Sequence, residues 1–121
     1  MPDHDYEKYV CSLDNVRLSD IDNVGGKNAS LGELIGTLTE AGVVVPGGFA
    51  TTAHAYREFL QTDKLGDRIQ KLLASSNPQD VNELAIVGSQ IREWIMETPF
   101  VPDLLQAIQV SYEALVRDYG E

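Results

Sequence analysis

The sequence predicts an α+β fold with helix in excess, on three observations: a short β-branched and aromatic run near the start, a glycine-rich front half, and a back half of repeated amphipathic helical periods. Two or three short strands and four or five helices are expected. The 121 residues and 43% hydrophobic content suit one small domain spanning 1–121, with residues 1–8 as a loose tail.

Tyr9 to Leu13 reads as the first strand. Leu31, Leu34, Ile35 and Leu38 then fall at helical spacing and predict an inner stripe, ended by a left-handed cap at Gly42. Ser30 with Glu33 fits a capping box, and Asn28 is an alternative N-cap. Val43 to Val45 is expected as a buried extended run, Pro46-Gly47-Gly48 as a turn, and Phe49 to Thr51 as a further strand. Thr52 is placed to cap a short helix whose inner face carries Tyr56, Phe59 and Leu60.

Leu65, Ile69, Leu72 and Leu73 mark another helix, closed by Ser75-Ser76-Asn77. Asn77 followed by Pro78 signals a new start, and Val81, Leu84, Ala85, Gly88, Ile91 and Ile95 carry the period to about Glu97. After the break at residues 98–102, Leu104, Leu105, Ile108, Tyr112, Leu115, Val116 and Tyr119 predict the last helix before Gly120.

Nine Lys and Arg residues against 19 Asp and Glu give a net charge of −10, with no basic block, which argues against nucleic acid and anionic membrane as partners. The acidic, polar first twenty residues do not resemble a secretory signal, and a cytoplasmic location is expected. Cys11, the one cysteine, cannot form an internal disulfide and is expected as a small buried hydrophobe. His4 and His54 lack a second ligand at metal spacing. Asp20 and Asp22 are expected to cap the loop before the glycines rather than hold a metal. Arg57, Arg68, Lys71, Arg92 and Arg117 are expected to face solvent, and Trp94 to pack at the edge of its helix stripe.

The stretch with chemical content is Gly25-Gly26-Lys27 directly before a helix. Amide groups at a helix start lack intrahelical partners and carry partial positive charge, glycines allow close approach, and a lysine adds a full mobile charge. Such a corner suits phosphate, although the same turn also occurs where nothing binds. It is not a Walker A loop, because Ile21 and Asn28 stand where that pattern needs glycine and Ser or Thr.

GGKNASLGELI followed by VVVPGGFATTAHAYREFL resembles the N-terminal ATP-binding region of the dikinase family that contains phosphoenolpyruvate synthase and pyruvate, phosphate dikinase. The resemblance implies a small ATP-grasp-type lobe, with Lys27 contacting ATP phosphates and Gly25 and Gly26 shaping the loop around it. Pro46, Gly48 and Phe49 match a segment whose role in the family is architectural. The resemblance places no catalytic residue and no metal ligand in this chain; Mg2+ and its carboxylates belong to the complete enzyme, as do an arginine-bearing segment, a phosphohistidine and a pyruvate-binding barrel. It therefore implies an ATP-binding fragment of a phosphotransferase converting ATP, pyruvate and water to phosphoenolpyruvate, AMP and phosphate, inactive alone and partnered by the remainder of its parent enzyme. The alternatives are the same lobe from a related dikinase with another acceptor, or a naturally short, non-catalytic nucleotide-binding or regulatory module.

Overall fold

A computed structural model describes residues 6–119; the expected tail, apart from Tyr6 to Lys8, and with it His4, lies outside the described residues, as does Gly120. Tyr6–Lys8 form a 3-10 turn rather than a loose end. The chain divides into two compact units: residues 1–56 with 102–121, and residues 57–101.

In the first unit, β1 (Val10–Ser12) pairs antiparallel with β2 (Phe49–Thr51), in the register Val10 with Thr51, Cys11 with Ala50 and Ser12 with Phe49. Two further backbone bonds extend the ladder, Leu13 N–H to Gly48 O at 2.9 Å and Thr52 N–H to Tyr9 O at 2.9 Å. After β1 come 3-10 turns at Leu13–Asn15 and Leu18–Asp20, then the one-turn helix α1 (Ile21–Val24) and the long helix α2 (Gly26–Glu40). The core gathers Leu13, Val16, Val24, Ala29, Ile35 and Ala50. Helix α6 (Pro102–Tyr119) packs on β1 and buries Leu104 and Ala107.

The buried face of α2 is Ala29, Gly32 and Ile35, so small residues let the helix approach its neighbour closely. A Cβ built on Gly32 would lie 2.5 Å from the Val16 carbonyl oxygen. On α2, the expected leucine stripe is therefore corrected: Leu31 and Leu34 are exposed, and of the four stripe residues only Ile35 is buried. The helix ends as expected. Gly42 sits at φ 85°, its N–H donates to Thr39 O at 3.0 Å, and Val43 N–H donates to Leu38 O at 2.9 Å, which together form a Schellman cap.

That cap occupies Val43, and β1 takes Phe49–Thr51 as its strand partner. Val43 to Val45 consequently form no strand, and Val44 is 93% exposed, against the expected buried run; Val45 alone packs against the core. Thr52 caps α3 (Ala53–Gln61) as expected, its hydroxyl accepting from Ala55 N–H at 3.2 Å and donating to Lys8 O. Tyr56 is exposed instead of inward, and Ala55 takes the buried place in the first turn.

The second unit holds the end of α3, a 3-10 turn at Thr62–Lys64, α4 (Leu65–Ala74) and α5 (Val81–Glu97). Asp63 and Lys64 both have left-handed φ, which turns the chain sharply between α3 and α4. Leu65 is fully buried, Phe59 meets Phe100 edge-on at 5.7 Å, and Arg68, expected in solvent, lies over the Trp94 ring at 4.6 Å. Asn77 closes its own turn by accepting from Gln79 N–H at 3.0 Å, so α5 starts later than the Asn77-Pro78 signal implied. Asp80 is its N-cap, accepting from Asn82 N–H at 3.0 Å and Glu83 N–H at 3.2 Å. On α5, Val87 is the buried residue, while Val81, Leu84 and Ile95 of the expected stripe are exposed. On α6, Tyr112, Val116 and Tyr119 are likewise exposed.

Two substitutions probe this packing. Gly32→Ala forces a methyl group into the Val16 carbonyl and should cost about 1–3 kcal/mol as overpacking. Asp80→Ala should cost about 1 kcal/mol through the lost cap. Urea unfolding followed by circular dichroism measures both, and an unchanged midpoint for Gly32→Ala contradicts the close approach.

Candidate functional site

The candidate site is the joint between α1 and α2, and its geometry is dictated by Gly25. The Gly25 N–H closes α1 by donating to Ile21 O at 2.8 Å, and the Gly25 carbonyl opens α2 by accepting from Ala29 N–H at 3.0 Å. One residue thus serves two helices, and it does so at φ 86°, ψ 164°, a conformation essentially restricted to glycine. A Cβ there would meet no atom within 4 Å, so the requirement is backbone strain and not crowding.

Gly25 is the N-cap of α2, with Gly26 and Lys27 as its first two helical residues. The expected capping box does not form, because Ser30 lies inside the helix and the Glu33 carboxylate accepts from Leu18 N–H at 3.2 Å instead. Glycine supplies no capping oxygen, α2 has no side-chain N-cap bond, and its first turn contains no acidic residue. The N–H groups of Gly26, Lys27 and Asn28 therefore stand at the positive end of a 15-residue helix with Lys27 beside them. Gly25, Gly26 and Lys27 are all exposed. A cation in the first turn opposes the helix dipole, and an anion placed there relieves both.

Lys27 shares a helix face with Leu31, Leu34 and Leu38, at spacings of four, seven and eleven residues, and two of these leucines are exposed. The lysine accordingly heads a stripe directed away from the core. Asn28, foreseen only as a possible cap, turns back across Gly25, and its side-chain amide donates to Val24 O at 2.9 Å. The segment leading to the joint is held against α2 by a residue that the sequence did not single out. Arg17 donates from its guanidinium to Asp14 O at 3.0 Å and Val16 O at 2.8 Å, and lies over Gly36, whose Cβ would come within 2.8 Å of the guanidinium carbon. The sequence signal for this contact was Gly32 and Gly36 four apart in a helix, a strip without side chains on which another segment can lie.

The remaining candidates are not drawn into this corner. Asp20 caps the preceding turn, its carboxylate accepting from Arg17 N–H at 2.9 Å. Cys11 is half-buried, and burial followed by the negative charges of Asp20 and Glu7 pushes its thiol above the ordinary range, partly offset by the Asn23 amide at 3.8 Å. That disfavours the nucleophilic thiolate. His54 is exposed at the start of α3, with its ring 5.7 Å from that of Tyr9. Among the described residues no three His, Cys, Asp or Glu side chains gather as a metal site, and no helix is long and apolar enough to cross a membrane. The donor set of amide groups and one ammonium, with open space over Gly25, fits a phosphate group.

Residues 21–121 match the family described as pyruvate phosphate dikinase, AMP/ATP-binding domain. The chain is 52% identical over 114 residues to a phosphoenolpyruvate synthase of Neisseria meningitidis, covering 94% of this chain and 14% of that protein. It is 53% identical over 108 residues to one from Pseudomonas aeruginosa, covering 89% and 14% respectively. With one from Escherichia coli the identity is 50% over 101 residues, covering 84% and 13%. The chain thus spans about one seventh of the length of these curated relatives and corresponds to an N-terminal part of them. With its match beginning at α1 and running through the Gly25 joint to the last residue, this chain belongs to the pyruvate phosphate dikinase AMP/ATP-binding domain family.

Proposed function

We propose that residues 1–121 form one lobe of the ATP site of a phosphoenolpyruvate-synthase-type phosphotransferase, with Lys27, Gly25 and Gly26 as its phosphate-contacting corner. The observation that carries this reading is the start of α2: a lysine in the first helical turn, a glycine N-cap, and neither an acidic residue nor a capping side chain to balance the exposed N–H groups. The family match supplies the ligand class, since the domain is one described as AMP/ATP-binding.

In this reading Gly25 sets the direction in which α2 begins, the Gly26 and Lys27 N–H groups orient a phosphate, and the Lys27 ammonium neutralises part of its charge. A bound nucleotide would supply the transferable phosphoryl group. Mg2+ belongs to the complete enzyme, and no described carboxylate is assigned to it. The acceptor, pyruvate in the parent reaction, and the transfer step are contributed by the rest of a longer protein, of which this chain alone is an inactive part. A cytoplasmic location accords with that reading.

In the complete enzyme, Lys27→Ala should remove a charge-assisted contact of roughly 1.5–3 kcal/mol, which lowers kcat/KM for ATP by about 10- to 100-fold. Steady-state kinetics over a range of ATP concentrations checks this, and unchanged ATP dependence removes Lys27 from the site. The isolated chain should bind ATP only at about millimolar concentration, because a single corner offers few contacts. NMR titration with ATP should shift the Gly26 and Lys27 amides, and micromolar affinity would contradict the assignment of most binding energy to other parts.

A further inference from the structure

We propose that Asn28 is the positioning residue of the α1–α2 corner: its side-chain amide holds Gly25 in its glycine-only conformation and so keeps the first N–H groups of α2 available to a phosphate. This rests on the reading of that corner as a phosphate site.

When α1 ends at Val24, its last carbonyls lose their helical partners, and when α2 begins at Gly26, its first N–H groups have none either. A helix end in this situation is ordinarily closed by a nearby side chain. The N-cap of α2 is Gly25, which has no side chain to do so, and Asn28 is the uncharged polar side chain of the first turn. Its amide nitrogen instead donates to Val24 O at 2.9 Å, four residues back and on the far side of Gly25. The contact satisfies an orphan carbonyl of α1, ties the end of one helix to the start of the next, and commits the side chain away from the N–H groups.

The backbone at the joint makes such a tie consequential. Gly25 has no Cβ and nothing within 4 Å of where one would be, so packing does not hold its torsions. They are set by hydrogen bonds from both helices and by the Asn28 bridge between them. Val24 is buried and part of the core, so the bridge anchors the exposed corner to a fixed point. Asparagine supplies the N–H donor that this bridge needs, which an ionised aspartate cannot.

The test uses the 121-residue chain, unmodified and as Asn28→Ala and Asn28→Asp, observed by backbone-amide NMR first without ligand and then with inorganic tripolyphosphate. Without ligand, Asn28→Ala should change the Gly25 and Gly26 amide shifts and the Gly25 φ-dependent couplings, with little change in core residues such as Leu104. With tripolyphosphate its affinity should fall by about three- to ten-fold, the equivalent of one hydrogen bond. Asn28→Asp places a carboxylate in the first turn, which favours the helix dipole and protects against loss of the fold, yet it should abolish the tripolyphosphate response. Couplings and affinity in Asn28→Ala equal to those of the unmodified chain overturn the proposal while leaving the phosphate reading intact. Failure of the unmodified chain itself to respond at Gly26 and Lys27 overturns the phosphate reading, and this proposal with it.

Discussion

The arrangement of the first unit depends on one peptide linkage, the Gly25 joint. Gly25 closes one helix and opens the next at φ 86°, ψ 164°, torsions that an L side chain would make costly by about 1–3 kcal/mol. Glycine removes that cost, and the remaining hydrogen bonds, Gly25 N–H to Ile21 O and Ala29 N–H to Gly25 O, then define how α2 departs from α1. The absence of a capping side chain and the unblocked N–H groups are consequences of placing glycine where the geometry permits little else.

A second constraint fixes which way α2 faces once it has started. Ala29, Gly32 and Gly36 present almost no side-chain bulk, so the backbone around Val16 and the Arg17 guanidinium lie directly against the helix. Close backbone approach gains dispersion contacts and leaves no room for larger residues. It also decides the orientation of Lys27, because Leu31 and Leu34, four and seven places after it, lie on the exposed side. A helix buried on its leucine face would have turned the same lysine toward the core.

That inversion explains what was legible in the sequence and what was not. Elements came through well: the strands around Cys11 and Ala50, the Gly42 cap, the Thr52 cap and the end of α5 at Glu97 are set by local chemistry, which a local pattern records. Which face of a helix is buried is a tertiary choice. Periodicity found the helices α2 and α5 but not their buried faces: burial on α2 followed the small residues and on α5 followed Val87. The Asn77-Pro78 start failed for a related reason, since Asn77 spent its side chain on its own turn and Asp80 was free to cap. For the corner, the residue types and their order were readable from Gly25 to Lys27. The bridge from Asn28 to Val24 was not, because the Val24 carbonyl is left open to it only by the break that Gly25 makes between the two helices.

Charge sets the scale on which such a corner acts. With a net charge of −10, the chain repels a triphosphate at long range, and Asp20 and Asp22 lie just before the glycines in sequence. Screening at physiological salt confines that repulsion to about 8 Å, whereas amide groups and an ammonium in hydrogen-bond contact act at about 3 Å. A phosphate bound at this corner, as proposed, would therefore not be gathered from solution by the field of the chain. On the proposed reading the corner would discriminate at contact, favouring a phosphate oxygen in line with the helix start over an anion that is not. A lobe built this way sets orientation more than affinity, which is the division of labour expected when a nucleotide is held between this surface and the remainder of a larger enzyme.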